Sequence, residues 1–233
     1  VIYDCNNWLV TGCSAGAANA FGSLSASTDT IHWTQRTTGI PDDHRQIIYH
    51  DVNKTYFMNS KGCSTASSTD AIHWTLRTLG QPTCADICGS LSQSQDYYLM
   101  ALTRPIRALS VSTDAIHWSR RTTGVSEYTY GIGYIHPTYV ATFHSNHTTP
   151  RVSTSTDTIH WTKRTGTGNM RNDTTIVSTN ILKYQNGDLY YVSDVVANQS
   201  TSTTDGIHWV DRANPFSGIT NSHRAFAYGN GYY

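Results

Sequence analysis

The sequence predicts an all-β protein, a β-propeller of four-stranded blades, and three observations carry that prediction. A ten-residue pattern recurs five times at near-constant spacing. Helix formers are scarce while Ser, Thr and Tyr abound, a composition that favours strands and turns. The stretches between the recurrences lack helical periodicity and are bounded by turn residues.

The recurrence comes first, because an internal period fixes an architecture before any single strand is assigned. Ser27-Thr28-Asp29-Thr30-Ile31-His32-Trp33 returns as Ser68 to Trp74, Ser112 to Trp118 and Ser155 to Trp161. The fifth copy, Thr203 to Trp209, opens on Thr. Each copy has an arginine three residues after its tryptophan: Arg36, Arg77, Arg121, Arg164 and Arg212. Successive tryptophans are 41, 44, 43 and 48 residues apart. A period of about 40–50 residues matches one four-stranded propeller blade. It divides the chain into repeats over about 1–40, 41–80, 81–124, 125–166 and 167–215, with a partial repeat over 216–233.

Strands can be placed inside a repeat. In the third they are Ile87 to Ser92, Asp96 to Leu102, Ala108 to Ser112 and Trp118 to Thr123. Equivalent second strands are Trp8 to Thr11, Thr55 to Met58, Tyr139 to Phe143 and Leu189 to Ser193, each introduced by a turn rich in Asn, Gly, Asp or Pro. The motif then falls on the turn between third and fourth strands. There a short Ser or Asp side chain accepts hydrogen bonds from backbone N–H groups that lack a strand partner. Asp29, Asp70, Asp114, Asp157 and Asp205 are assigned that role. Trp33, Trp74, Trp118, Trp161 and Trp209, with the isoleucines before them, are expected as largely buried apolar plugs beneath the hairpins. Strand alternation sets His32 and Arg36 on one face, opposite Trp33.

At these residues the chain resembles the Asp-box (BNR) repeats of sialidases and related propellers, whose pattern is Ser-x-Asp-x-Gly-x-Thr-Trp. Here the pattern is one residue shorter, and Ile31, Ile72, Ile116, Ile159 and Ile207 stand at the Gly place. The resemblance runs through the whole chain as a repeat and implies a fold, with the boxes at the blade periphery as framework. Sialidase activity implies more: three arginines, a tyrosine nucleophile paired with a glutamate, an acidic proton donor and a Tyr/Phe-Arg-Ile-Pro signature. The signature is absent, and Thr103-Arg104-Pro105-Ile106 scrambles its order. Glu127 with Tyr128 or Tyr130 imitates the nucleophile pair. Asp42 or Asp43 with Glu127 could supply the two facing carboxylates of another type of glycosidase.

Binding is expected where repeats differ, because loops on a rigid scaffold carry specificity. The loops facing away from the motif turns gather His44, Arg45, Arg104, Arg107, Glu127, Tyr128, Tyr130, His144 and Arg171, a mixture of rings and planar polar groups suited to sugars. No metal centre and no cofactor are implied, since motif residues on different blades lie too far apart to share an ion.

Sixteen acidic residues balance sixteen basic ones, and this neutrality argues against nucleic acid as a partner. No apolar run approaches the ~18 residues that membrane insertion by a helix requires. The expected role is a non-catalytic binding, adhesion or scaffold module, lectin-like and glycan-binding, with extracellular or virion or cell-surface localisation. The alternatives are a structural subunit of a virion or surface filament, built by self-assembly, and a sialidase-like glycoside hydrolase. Disulfides are expected as Cys84–Cys88 and Cys13–Cys63, with Cys5 left over, a pairing that fits export. Sequons at Asn53, Asn146, Asn172 and Asn198 are no more numerous than composition alone produces. Ala225 to Tyr233 matches Val1 to Trp8 as the start of another repeat, so an excerpt of a longer polypeptide with at least six repeats is expected; the alternative is a five-bladed ring in which Ala225 to Tyr233 pairs with a neighbouring chain or displaces Val1 to Asp4.

Overall fold

The computed structural model describes residues 2–3, 7–12, 23–40, 44–60, 64–79, 88–102, 108–124, 128–144, 151–165, 181–185, 188–192 and 200–212. These residues form antiparallel four-stranded sheets, in which each strand pairs with the next along the chain. The first sheet holds β1 (Ile2–Tyr3), β2 (Trp8–Gly12), β3 (Ser23–Ser27) and β4 (Thr34–Arg36). The second holds β5 (His44–His50), β6 (Thr55–Ser60), β7 (Thr65–Ser68) and β8 (Thr75–Arg77). In the third are β9 (Cys88–Gln93), β10 (Tyr98–Leu102), β11 (Ala108–Ser112) and β12 (Ser119–Arg121). The fourth has β13 (Tyr128–Ile135), β14 (Thr138–His144), β15 (Arg151–Ser155) and β16 (Thr162–Thr165). The fifth has β17 (Ile181–Gln185), β18 (Asp188–Val192), β19 (Ser200–Thr203) and β20 (Val210–Arg212).

In the second, third and fourth sheets the second and third strands are buried on both faces, which is why they show no clean alternation in sequence. Every residue of β10 and of β11 is buried. The fourth strands are only three or four residues long and largely exposed at the sheet edge; β8 and β12 bury no residue fully. Short edges of this kind resist pairing with other chains.

The core lies between sheets. Leu9, Leu24 and Ala26 of the first sheet pack with Ile47, Met58 and Ala66 of the second. Phe57 joins Leu91, Tyr98, Met100 and Leu102 across the second and third. Leu99, Ala101, Leu109 and Val111 meet Ile132, Tyr139, Ala141 and Phe143 across the third and fourth.

First strands of successive sheets lie side by side, and side chains tie them where no ladder exists. The Gln46 amide accepts from Leu91 N–H at 2.7 Å and donates to Leu91 C=O at 3.2 Å. Ser90 Oγ accepts from Ile132 N–H at 2.6 Å, and Gln93 Nε2 donates to Tyr49 C=O at 2.5 Å. Each such bond satisfies a backbone group that would otherwise be buried without a partner.

Candidate functional site

The motif turns share one hydrogen-bond pattern. In the first, Asp29 Oδ1 accepts from Ile31 N–H at 2.9 Å and His32 N–H at 2.8 Å, and Ser27 Oγ accepts from Thr30 N–H at 2.9 Å. Asp29 Oδ2 meets His32 Nδ1 at 2.7 Å. The same carboxylate–imidazole pair recurs at Asp70–His73, Asp114–His117, Asp157–His160 and Asp205–His208, at 2.6–2.7 Å. Hydrogen bonding from His32 and from the two N–H groups holds the Asp29 carboxyl well below the ordinary range, and Asp70 and Asp157 behave alike. At Asp114 and Asp205 burial pushes the other way, but the same bonds outweigh it.

The residue after each Asp takes a left-handed backbone: Thr30 (φ 65°), Ala71 (62°), Ala115 (60°), Thr158 (64°) and Gly206 (77°). Four of the five are not glycine, so their strain, about 1–2 kcal/mol each, is held by the turn's bonds. The fifth needs glycine for a second reason. A Cβ on Gly206 would stand 2.8 Å from Val140 Cγ2 and 2.9 Å from Thr138 Cγ2.

The turn corrects two expectations about the side chains. The isoleucines are not plugs beneath the hairpins: Ile31, Ile72, Ile116 and Ile159 are exposed, because their N–H groups turn inward to Asp and their side chains outward. The histidines do not share a strand face with the arginines. Each precedes the fourth strand, is bound to its Asp, and is exposed.

Of the tryptophans, Trp33 alone is exposed against the expectation of burial, and the difference has a geometric cause. Four of the five in the motifs, Trp74, Trp118, Trp161 and Trp209, pack toward the preceding sheet. Trp74 joins the core shared with the first sheet, Trp118 lies 4.7 Å from the Phe57 ring, and Trp161 joins the third-sheet core. Trp209 packs on Ile135, Val140 and Val152 and is 9% exposed. Trp33 is 43% exposed, and among the described residues no core cluster includes it. The half-buried arginines lie back across the third strand, where Arg77 Nε donates to Ser67 Oγ at 2.7 Å and Arg164 Nε to Thr154 Oγ1 at 3.1 Å.

The loop-face residues separate into groups. His44 is not a loop residue; it is buried at the start of β5 with Nε2 bonded to Thr38 Oγ1 at 2.9 Å. Arg45 and Tyr130 are the extra residues of β-bulges, between His44 and Gln46 in β5 and between Thr129 and Gly131 in β13. A register shift lies between Met100 and Leu102 in the β9–β10 pairing as well. Half-buried Tyr128 pairs with His144 across β13 and β14, at this same end of the fourth sheet. Arg104, Arg107, Glu127 and Arg171 lie outside the described residues, as do Asp42 and Asp43. So do Cys5, Cys13, Cys63 and Cys84, with both proposed disulfide pairings, the sequons at Asn146, Asn172 and Asn198, and the segment Ala225 to Tyr233. Among the described residues no group of three or more His, Cys, Asp or Glu is placed to hold a metal ion.

Sequence reasoning missed two features. The first is His50, buried and stacked 4.6 Å from the Tyr98 ring, with Nδ1 accepting from Asn53 N–H at 3.3 Å. Burial lowers its pKa, against the opposing effects of the Ser94 backbone and of Asp51 and Asp96. The second is an aromatic group at the motif end of the third and fourth sheets: Tyr97, Tyr134, Tyr139 and His136. A signal for it was present in the second-strand turns, where Asp96-Tyr97 and Tyr134-Ile135-His136-Pro137 replace small turn residues.

No protein-family model and no curated protein matches the chain. Solved structures do. A chain in the crystal structure of a nidogen/laminin complex is 12% identical with TM-score 0.60, and the match covers 88% of this chain and 77% of that one. YCF48 from Cyanidioschyzon merolae is 13% identical with TM-score 0.52, over 83% of this chain and 66% of that one. PorZ of Porphyromonas gingivalis, described as an essential bacterial surface component of the type-IX secretion system, is 11% identical with TM-score 0.55; 84% of this chain matches 28% of it. These neighbours are β-propeller-like, and at such identities the likeness concerns architecture alone. The chain is an all-β repeat protein with a propeller fold.

Proposed function

We propose that the chain is part of a non-catalytic, extracellular β-propeller of four-stranded blades that binds glycans through the face opposite its motif turns. The observation that carries the reading is the placement of β-bulges. Bulges cluster beside functional sites. Those of β5 and β13 fall at the starts of first strands and set Arg45 and Tyr130 at the end where Tyr128 and His144 pair. The Asp-box reading supports a framework role for the motif, since each Asp and the Nδ1 of each His are occupied within their own turn. A glycan array probed with the wild-type chain and with Arg45→Ala and Tyr130→Ala tests it. Binding that the variants weaken supports the site, and turnover of a fluorogenic sialoside would refute the non-catalytic assignment.

A second reading, a structural subunit of a virion or surface filament, is favoured by one observation. Isoleucine recurs at the same exposed place in four successive turns, as Ile31, Ile72, Ile116 and Ile159. Electron microscopy of the native material distinguishes the two.

A further inference from the structure

The motif face holds an aromatic patch of which, among the described residues, only the Tyr134–Tyr139 pair is matched elsewhere, by Tyr49 and Tyr56 of the second sheet at 4.7 Å. The turn between β9 and β10 is closed by Ser94, whose N–H donates to Tyr97 C=O at 2.9 Å and whose Oγ accepts from Tyr97 N–H at 3.0 Å. The Tyr139 hydroxyl reaches over from the fourth sheet and donates to Ser94 Oγ at 3.0 Å. The two hairpin ends are thereby clamped, and a continuous aromatic group lies across them. Tyr139 is buried at its centre. Tyr134 lies 4.7 Å from it, tilted by 37°, and Tyr97 meets it edge-on at 6.1 Å. Tyr97 and Tyr134 both remain half-exposed.

Polar groups border these rings. The Tyr134 hydroxyl pairs with Nδ1 of exposed His136 at 2.9 Å. Exposed Asp96, next to Tyr97 in the same turn, lies close enough for its charge to help raise the pKa of both Tyr134 and Tyr139, after burial. The corresponding end between the second and third sheets differs. There Asn53 Nδ2 donates to Thr113 C=O at 3.1 Å and His50 fills the space against Tyr98.

We propose that Tyr97, Tyr134, His136 and Asp96 form a second saccharide site, on the motif face, that takes one ring of a neutral sugar. Aromatic rings present a negative face to the C–H groups of a pyranose. A phenol, an imidazole and a carboxylate beside them offer donors and acceptors for its hydroxyls. The carboxylate of Asp96 makes the patch unsuited to sialic acids and sugar phosphates, which carry like charge. The proposal shares the glycan reading made above but not its location.

The test is NMR titration of the intact chain with N-acetyllactosamine and with maltose as neutral probes, and with sialyllactose as the acidic one. Binding of a neutral probe that shifts the Tyr97 and Tyr134 ring signals is expected, with sialyllactose weaker. Tyr134→Ala should weaken binding about tenfold, the equivalent of one lost ring contact. Tyr134→Phe, which keeps the ring and removes the bond to His136, should weaken it less. Asp96→Ala changes an exposed side chain without opening the core, and should weaken the neutral probe while narrowing its advantage over sialyllactose. Failure of both neutral probes to bind the wild type overturns the proposal, as does binding unchanged in both Tyr134→Ala and Asp96→Ala. Array binding that depends on Arg45 and Tyr130 would in that event still support the opposite face.

Discussion

Gly206→Ala isolates what the fifth motif turn asks of its backbone. Gly206 is left-handed at φ 77°, as are its counterparts Thr30, Ala71, Ala115 and Thr158. Backbone strain alone therefore cannot require glycine, since four other residues carry it at about 1–2 kcal/mol each. The added methyl would stand 2.8 Å from Val140 Cγ2 and 2.9 Å from Thr138 Cγ2, and Val140 is fully buried with no room to retreat. Overpacking of that kind typically costs 1–3 kcal/mol. Together the two terms give a loss of about 2–5 kcal/mol. Urea or guanidinium unfolding of the wild type, Gly206→Ala, Val140→Ala and the double variant measures it. The cycle should show a coupling of about 1 kcal/mol, because removing the Val140 methyls relieves one of the two close contacts and leaves that with Thr138. A loss under about 0.5 kcal/mol for Gly206→Ala, or additive effects in the cycle, would refute the steric account.

The opposite change, Thr30→Gly at an exposed turn, should stabilise by about 1 kcal/mol through relief of the left-handed strain, read in the same unfolding assay. Gln46→Leu should cost about 1–3 kcal/mol by leaving the Leu91 N–H and C=O without their side-chain partner, and hydrogen exchange at Leu91 should speed up. His50 has a folded pKa below its unfolded value of about 6.5, so on acidification the unfolded chain takes up the proton first. Its contribution is complete above pH ~6.5 and lost as pH falls from there towards the folded pKa. In His50→Gln the fall of stability with acid across that window should be shallower. The motif carboxylates titrate far lower in the fold than in the unfolded chain, so their contribution is kept above the ordinary Asp range of about 4 and lost only in stronger acid. Asp114→Asn should flatten the acid limb of unfolding there without moving the His50 step.

The repeat was legible because it is a local property. The spacing of Asp70 and Trp74 and the Ser before them needs only neighbours in sequence, and so does the turn they build. What the sequence hid depends on partners elsewhere. Trp118 and Trp33 close motifs that differ between Ser and Trp only at Ala115 and Thr30, but one rests on Phe57 of the preceding sheet and the other joins no core cluster among the described residues. Ile31 and Ile116 look like core residues by composition, yet the turn spends their N–H on Asp and sends the side chains out. The bulges at Arg45 and Tyr130 leave no mark in sequence, because they are set by register against Asn59 and Phe143 on the partner strands. The Tyr97–Tyr139–Tyr134 group joins residues of two sheets, and no periodicity within one repeat reports it.

Gln46, Ser90 and Gln93 have a bearing on how such a chain can change over time. Neighbouring first strands meet through single side chains rather than through a continuous ladder. A ladder would fix each strand's register to the next and propagate any insertion around the molecule. A seam made by one amide or hydroxyl is forgiving: duplicating or deleting a repeat rewrites the two junctions it touches and leaves the other sheets as they were. The number of repeats is then free to drift by whole units, while the face each unit presents diverges independently. A patch such as Tyr97 with Tyr134 can arise at one junction without a counterpart at its neighbours.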